Sequence, residues 1–117
     1  MNYYFHLNDM PFEAIKSGKK KIETRIQTED HPKEQFEGMK AGEQIIFNTD
    51  AGENMTTEII KVRHYPDIAT LLDTEGQENV MSYDCSREEA LVSWNSLKGY
   101  EEGIKKYGIW AIEVKPI

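Results

Sequence analysis

Lys20, Glu23 and Arg25 set one carboxylate between two long cationic side chains, inside the stretch PFEAIKSGKKKIETR at residues 11–25. Residue types in this pattern support two kinds of chemistry. In a binding site, Glu23 accepts hydrogen bonds from an exocyclic amine such as N4 of cytosine, while Lys20 and Arg25 hold phosphate or carbonyl oxygens. In a hydrolytic site, Glu23 serves as general base for a water and Lys20 stabilises the developing oxyanion. A third reading involves no ligand: Glu23 pairs with Arg25 or a lysine at a solvent-exposed rim, where such a bridge adds little stability. Lys20 and Glu23 have opposite strand parity, so they meet only if Lys20 lies in the turn before the strand begins. Gly18 allows such a turn through its access to positive φ.

The charge around this group is local. Residues 16–25 hold five cations (Lys16, Lys19, Lys20, Lys21, Arg25) against Glu23, a sum of +4, while the whole chain of 117 residues carries −7. The other 107 residues therefore carry −11. A protein that coats long nucleic acid is normally basic overall, because affinity grows with the phosphates it neutralises. One positive spot on an acidic body instead suits a small anion, a nucleotide-sized ligand or a short stretch of RNA; a solvated lysine turn is the plainer alternative. Tyr65 stands between a strand and a helix, where its ring either stacks on a base or packs against the helix. Trp94 and Trp110 read as core. His6, His31 and His64 are far apart and lack zinc-ligand spacing. Cys85 precedes a helix N-terminus, has no histidine partner and cannot form an internal disulfide. No metal or cofactor motif occurs, and SGKKK is neither phosphate-binding glycine fingerprint.

The elements that must position these residues follow from periodicity. Residues 2–7 are an aromatic-rich strand. Asp9 caps a short helix with Pro11 in its first turn and Gly18 as its stop. KKIETRI alternates, so Ile22, Thr24 and Ile26 share a buried face, with Thr24 toward the interior, and Lys21, Glu23 and Arg25 share the other. Residues 28–42 are polar and turn-rich, with one helical turn after Pro32. QIIFN and TTEIIKVRHY are strands joined by the turn DAGEN. PDIATLLD is a short helix. SREEALVSWNSLKG is a longer one, opened by a Ser86/Glu89 capping box, striped by Ala90, Leu91, Trp94 and Leu97, and stopped by Gly99. YEEGIKKYG is helical up to Gly108, and IWAIEV closes the chain as a strand with Trp110, Ile112 and Val114 on one face. Ile22, Ile46, Ile60, Val62 and Ile112 are expected in the core. Hydrophobic residues at 38% and charged residues at 30% describe a globular protein, with residues 1–117 as one domain. No apolar run is long enough to span a membrane and no signal peptide is read, so a cytoplasmic location is expected. The oligomeric state stays open.

The segment PFEAIKSGKKKIETRI resembles the opening signature of the ASCH domain, a PUA-like β-barrel family, written GxKxxExR and here Gly18, Lys20, Glu23 and Arg25. The order of GEQIIFN, IIKVRHYPDIATLLDTEG, a capped helix and YGIWAIEV is similar over nearly the whole chain. The resemblance implies an α+β fold: a PUA-like mixed or antiparallel β-barrel of five to six strands with peripheral short helices. It also implies an RNA- or nucleotide-binding module, its cleft formed by Gly18, Lys19, Lys20, Glu23 and Arg25, with Tyr65 as a candidate platform. One branch of the family removes the acetyl group from N4-acetylcytidine using a lysine, a threonine nucleophile and a distant glutamate. The lysine corresponds to Lys20, and the distant glutamate to Glu75 or Glu78. The threonine position is held by Glu23, so that branch's nucleophile is missing, and an enzyme of this type would have to use Glu23 to activate water. The implied partner is RNA, a nucleotide or a nucleoside; no cofactor is implied.

Overall fold

A computed structural model describes residues 2–26, 36, 38–96 and 100–117. The alternating segments become β1 (Asn2–His6), β2 (Ile22–Ile26), β3 (Gln44–Asn48), β4 (Asn54–Tyr65) and β5 (Ile109–Pro116). They form one mixed sheet in the order β1-β3-β4-β5-β2, with β1 parallel to β3 and the other pairs antiparallel. The sheet curls into a half-barrel ringed by short helices: α1 (Asp9–Lys16), α2 (Ile68–Glu75), α3 (Gln77–Val80), α4 (Arg87–Asn95) and α5 (Tyr100–Tyr107). This is the expected α+β, barrel-like class with five strands. β1 and β2, joined by α1 in sequence, are the two edge strands of that sheet.

Two apolar clusters lie against the sheet. Phe5, Phe12, Ile15, Ile45, Phe47, Ile59, Ile112 and Val114 pack together on one side with α1. Ile22, Ile26, Ile109 and Ala111 pack on the other with residues of α2 to α5, among them Leu71, Ala90, Trp94 and Ile104. Directly opposed residues of an antiparallel pair share a face. Glu23 opposes Ile112 and Arg25 opposes Trp110, so both belong to the side that holds α1. Thr24 opposes Ala111 and faces the helical layer, where Trp94 Nε1 donates to its hydroxyl at 3.4 Å. Ile22, Thr24 and Ile26 thus share one covered face, as the alternation predicts, and Glu23 and Arg25 lie on the other, which is covered as well.

The expected core needs one correction. Ile22 and Ile112 are buried, Ile46 and Val62 are half-buried, and Ile60 is 39% exposed. The cause is a bulge: the β4–β5 register shifts between Ile59 and Lys61. An extra residue lets Ile59 and Val62, three apart, pack on the same cluster and turns Ile60 outward. Helix ends differ by small steps. Asn8, not Asp9, is the N-cap of α1, and Asp67, whose side chain accepts from the Thr70 N–H, caps α2. The Ser86/Glu89 capping box of α4 is present as read. The turn after Pro32, His31, Leu97 and the Gly99 stop lie outside the described residues.

Candidate functional site

The turn between α1 and β2 delivers the lysine. Gly18 adopts φ +85° after the last turn of α1, and the Lys20 N–H returns to the Ala14 carbonyl at 3.0 Å. Regular pairing starts only at Ile22, so Lys20 escapes strand parity and can join Glu23. The Lys21 N–H donates to the Asn79 carbonyl at 2.9 Å, and Lys20 Nζ donates to the Val80 carbonyl. These two bonds dock the end of α3 onto the turn and make it a lip of the site.

Lys20 and Glu23 are each 6% exposed, far below what an exposed rim bridge would show. Lys20 Nζ lies 3.7 Å from Glu23 Oε1, and Arg25 Nη2 lies 2.9 Å from Glu23 Oε2. Arg25 also donates to the His6 carbonyl at 3.0 Å and sets its guanidinium 4.6 Å from the centre of the Phe5 ring. Its Nε is buried with no hydrogen-bond partner among the described residues. Burial pulls the Lys20 ammonium below the ordinary lysine value, the Glu23 carboxylate opposes that shift, and Arg25 adds to it.

These groups line a cleft of about 330 Å³, at the small end of the roughly 300–1,000 Å³ typical of small-molecule sites. His6 and Leu7 come from the β1 side, Thr24 from β2, Val80 to Tyr83 from the lip, and Trp94 and Tyr100 from α4 and α5. The cleft therefore follows the free edge of β2, opposite the end of β1. Burial raises the Tyr100 phenol above its ordinary value; Arg25 opposes this and Glu23 reinforces it. Together the walls offer aromatic surface and the floor offers cationic donors around one carboxylate. That arrangement can take in a small flat ring and hydrogen-bond its edge.

Not every residue singled out in the sequence converges here. Lys19 is near the mouth but exposed, 3.8 Å from Asp84. Gly18 shapes the turn without lining the cleft. Tyr65 is 8% exposed within the helical-side cluster, and its hydroxyl donates to Glu75. Glu75 also accepts from Arg63, at 2.6 Å for the Nη2 contact, and Arg63 bridges on to Glu113 at 3.0 Å. Burial alone would raise the Glu75 carboxyl; the bonds from Arg63 and Tyr65 outweigh it and hold the group below the usual range. Neither Glu75 nor the exposed Glu78 lines the cleft. His6 pairs with Asp50 at 2.8 Å and His64 bonds the Tyr107 carbonyl at 2.7 Å. Cys85 is half-buried, its carbonyl accepting from Gln77 at 2.6 Å. Among the described residues no three His, Cys, Asp or Glu side chains group as a metal site would need, and no helix is long and apolar enough to cross a membrane.

Sequence reasoning missed His6, Val80, Met81 and Tyr100. Nothing local marks the first three, which reach the cleft through a carbonyl or the docking of α3. Tyr100 carried a faint signal, as an aromatic residue opening a helix whose apolar stripe is otherwise short.

Comparisons with known proteins agree with this fold. The model of the ASCH domain matches residues 5–117. A crystal structure titled hypothetical protein PH0355 is 35% identical, with both chains covered in full and a TM-score of 0.82. The solution NMR structure of protein PF0455 from Pyrococcus furiosus is 32% identical, covers 100% of this chain and 98% of its own, and has a TM-score of 0.74. No curated protein matches the sequence.

Proposed function

This chain belongs to the ASCH domain family, and from that premise we propose that it binds RNA or a nucleotide by taking one nucleoside unit into the cleft. The observation that carries the reading is the buried Lys20–Glu23 pair with half-buried Arg25 on the floor of a cleft walled by Trp94 and Tyr100. One base fills such a space, stacks on an aromatic wall and presents its polar edge to the floor. Arg25 Nε is a buried donor awaiting an acceptor, and a bound base carbonyl or phosphate oxygen supplies one. The acidic body favours a ligand that enters end-on or as a splayed-out nucleotide over a long duplex laid across the surface.

Fluorescence titration with nucleosides, nucleotides and short single-stranded RNA tests the proposal. Saturable binding by wild type, weakened at least tenfold in Lys20→Ala and in Tyr100→Ala, supports it. Equal binding by all three proteins, or no binding to any, overturns it.

A second reading has one specific observation behind it. Lys20 and Glu23, both buried and 3.7 Å apart, set a cationic donor beside a carboxylate, as an oxyanion stabiliser stands beside a water-activating base. Hydrolysis of an amide-type bond on a nucleobase would then run through water activated by Glu23, with Lys20 stabilising the oxyanion, inside the same cleft. Incubation with N4-acetylcytidine and chromatography for cytidine separates this reading from simple binding.

A further inference from the structure

A second cavity of about 360 Å³ opens where the β4–β5 ladder is broken. Its walls are Ile15 of α1, the bulged Ile60 of β4, and Val114 and Pro116 of β5. Ile60 is among the large apolar side chains left open to solvent, and the bulge is what leaves it there. Lys21 and Lys115 line the same cavity and are both exposed. Its acidic lining residue, Glu113, is committed to Arg63 at 3.0 Å. An apolar floor under two exposed lysines that make no ion pair within 4.0 Å among the described residues, although Glu58 stands opposite Lys115 in the ladder, is complementary to a molecule with an apolar body and one negative head.

We propose that this cavity is a binding site for a small amphipathic monoanion, a carboxylate on a short acyl or comparable apolar body. The body lies against Ile15, Ile60, Val114 and Pro116, and the head meets Lys21 and Lys115. Bulges recur beside binding sites because they re-aim one side chain and interrupt strand pairing, and here both effects serve the cavity. Lys20 lines this cavity as well as the cleft. The proposal does not depend on what the cleft binds.

Isotope-edited NMR of the full chain, titrated with sodium octanoate, is the test. We expect saturable shifts centred on the amides of Lys21, Ile60, Val114 and Lys115. Hexanoate should bind about fifteenfold more weakly, because each methylene buried contributes about fourfold. Octylammonium, with the same body and the opposite head, should not bind. Lys115→Glu should weaken octanoate at least tenfold and Ile60→Asp should abolish binding, while Tyr100→Phe in the cleft leaves it unchanged. Lys115 is exposed, so its variant tests the idea even if Ile60→Asp impairs folding. The proposal fails if octanoate does not saturate, if octylammonium binds as well, if Lys115→Glu binds like wild type, or if the shifts centre on Trp94 and Tyr100.

Discussion

Replacing Glu23 by glutamine is the sharpest test of the buried charge group. The change keeps the shape but removes the negative charge 3.7 Å from Lys20 and 2.9 Å from Arg25, and turns one of the two acceptor oxygens into an NH2 donor. Arg25, with 21% of its side chain exposed, keeps its bond to His6 and some solvent screening, so Lys20 bears most of the loss. Lys20 already holds its proton less tightly than an unfolded lysine, and losing Glu23 lowers its affinity further. One limit on the cost is simple deprotonation. From pH 7 to the ordinary lysine value, at about 1.4 kcal/mol per unit, that ceiling is about 5 kcal/mol. Removing one partner of a buried pair typically costs about 3–5 kcal/mol, and the retained Arg25 contacts reduce it, so we expect about 2–4 kcal/mol at pH 7. For a chain of this size that lowers Tm by roughly 10 °C. The sign of the pH dependence is fixed. A lysine with a depressed folded pKa binds fewer protons folded than unfolded, so stability rises with pH from that depressed pKa up to the ordinary value near 10.4. The gap between wild type and Glu23→Gln should therefore narrow as pH rises from 7 to 9.5. The raised phenols of Tyr3 and Tyr65 are present in both proteins and cancel in the difference; for Tyr100, burial is the larger cause and is kept, while the smaller contribution of Glu23 is lost. Urea unfolding of the two proteins across that range is the assay. A gap below about 1 kcal/mol, the same at every pH, would refute the reasoning and make the group an ordinary solvated bridge.

Other outcomes follow from the same geometry. Gly108 has φ +78°, and a Cβ there would run into the Tyr65 carbonyl and approach His64 Nε2 to 2.7 Å; Gly108→Ala should cost about 3 kcal/mol or more in urea unfolding. Gly18→Ala, at φ +85° with open space around it, should cost only about 1–2 kcal/mol. Binding of short single-stranded RNA should weaken with added salt on a shallow slope, as expected for few phosphate contacts, and a steep slope would point to a wider surface. Turnover of N4-acetylcytidine should be slight, since Glu23 is held by Arg25 at 2.9 Å and faces Lys20 at 3.7 Å, which makes its carboxylate a weak base; rapid turnover abolished by Glu23→Gln would reverse that expectation.

Much of the fold was legible because local signals were strong. Alternation in IETRI, QIIFN and IWAIEV gave β2, β3 and β5, and the Ser86/Glu89 box gave the start of α4. The bulge at Ile60 was not legible, because TTEIIKVRHY alternates ambiguously and an extra residue shows only against its partner strand. The split of β2 was legible too: Ile22 and Ile26 are buried on one face, while Glu23 and Arg25 lie on the other. That the second face is covered as well was not. Alternation reports that two faces differ, not whether both are covered. For the site, the motif located Lys20, Glu23 and Arg25 correctly as neighbours. It could not supply Val80 or Tyr100, which come from elements whose docking depends on tertiary contacts alone.

The incomplete closure of the sheet explains why the positive charge gathers where it does. A five-stranded sheet that curls without pairing β1 to β2 leaves two edges whose backbone groups need partners. Arg25 addresses that need directly: from β2 it reaches the His6 carbonyl on β1, lies against Phe5 of the same strand, and is itself neutralised by Glu23. The guanidinium is a clasp across the seam, and the carboxylate that balances it also receives Lys20. A seam held by side chains rather than by a ladder is open enough to admit a small molecule, and its polar groups are already aimed inward. The same contacts therefore set both the closure of the half-barrel and the chemistry of the cleft. A ligand that engages Arg25 and Glu23 must then stabilise the folded chain as it binds, in proportion to its concentration over its Kd.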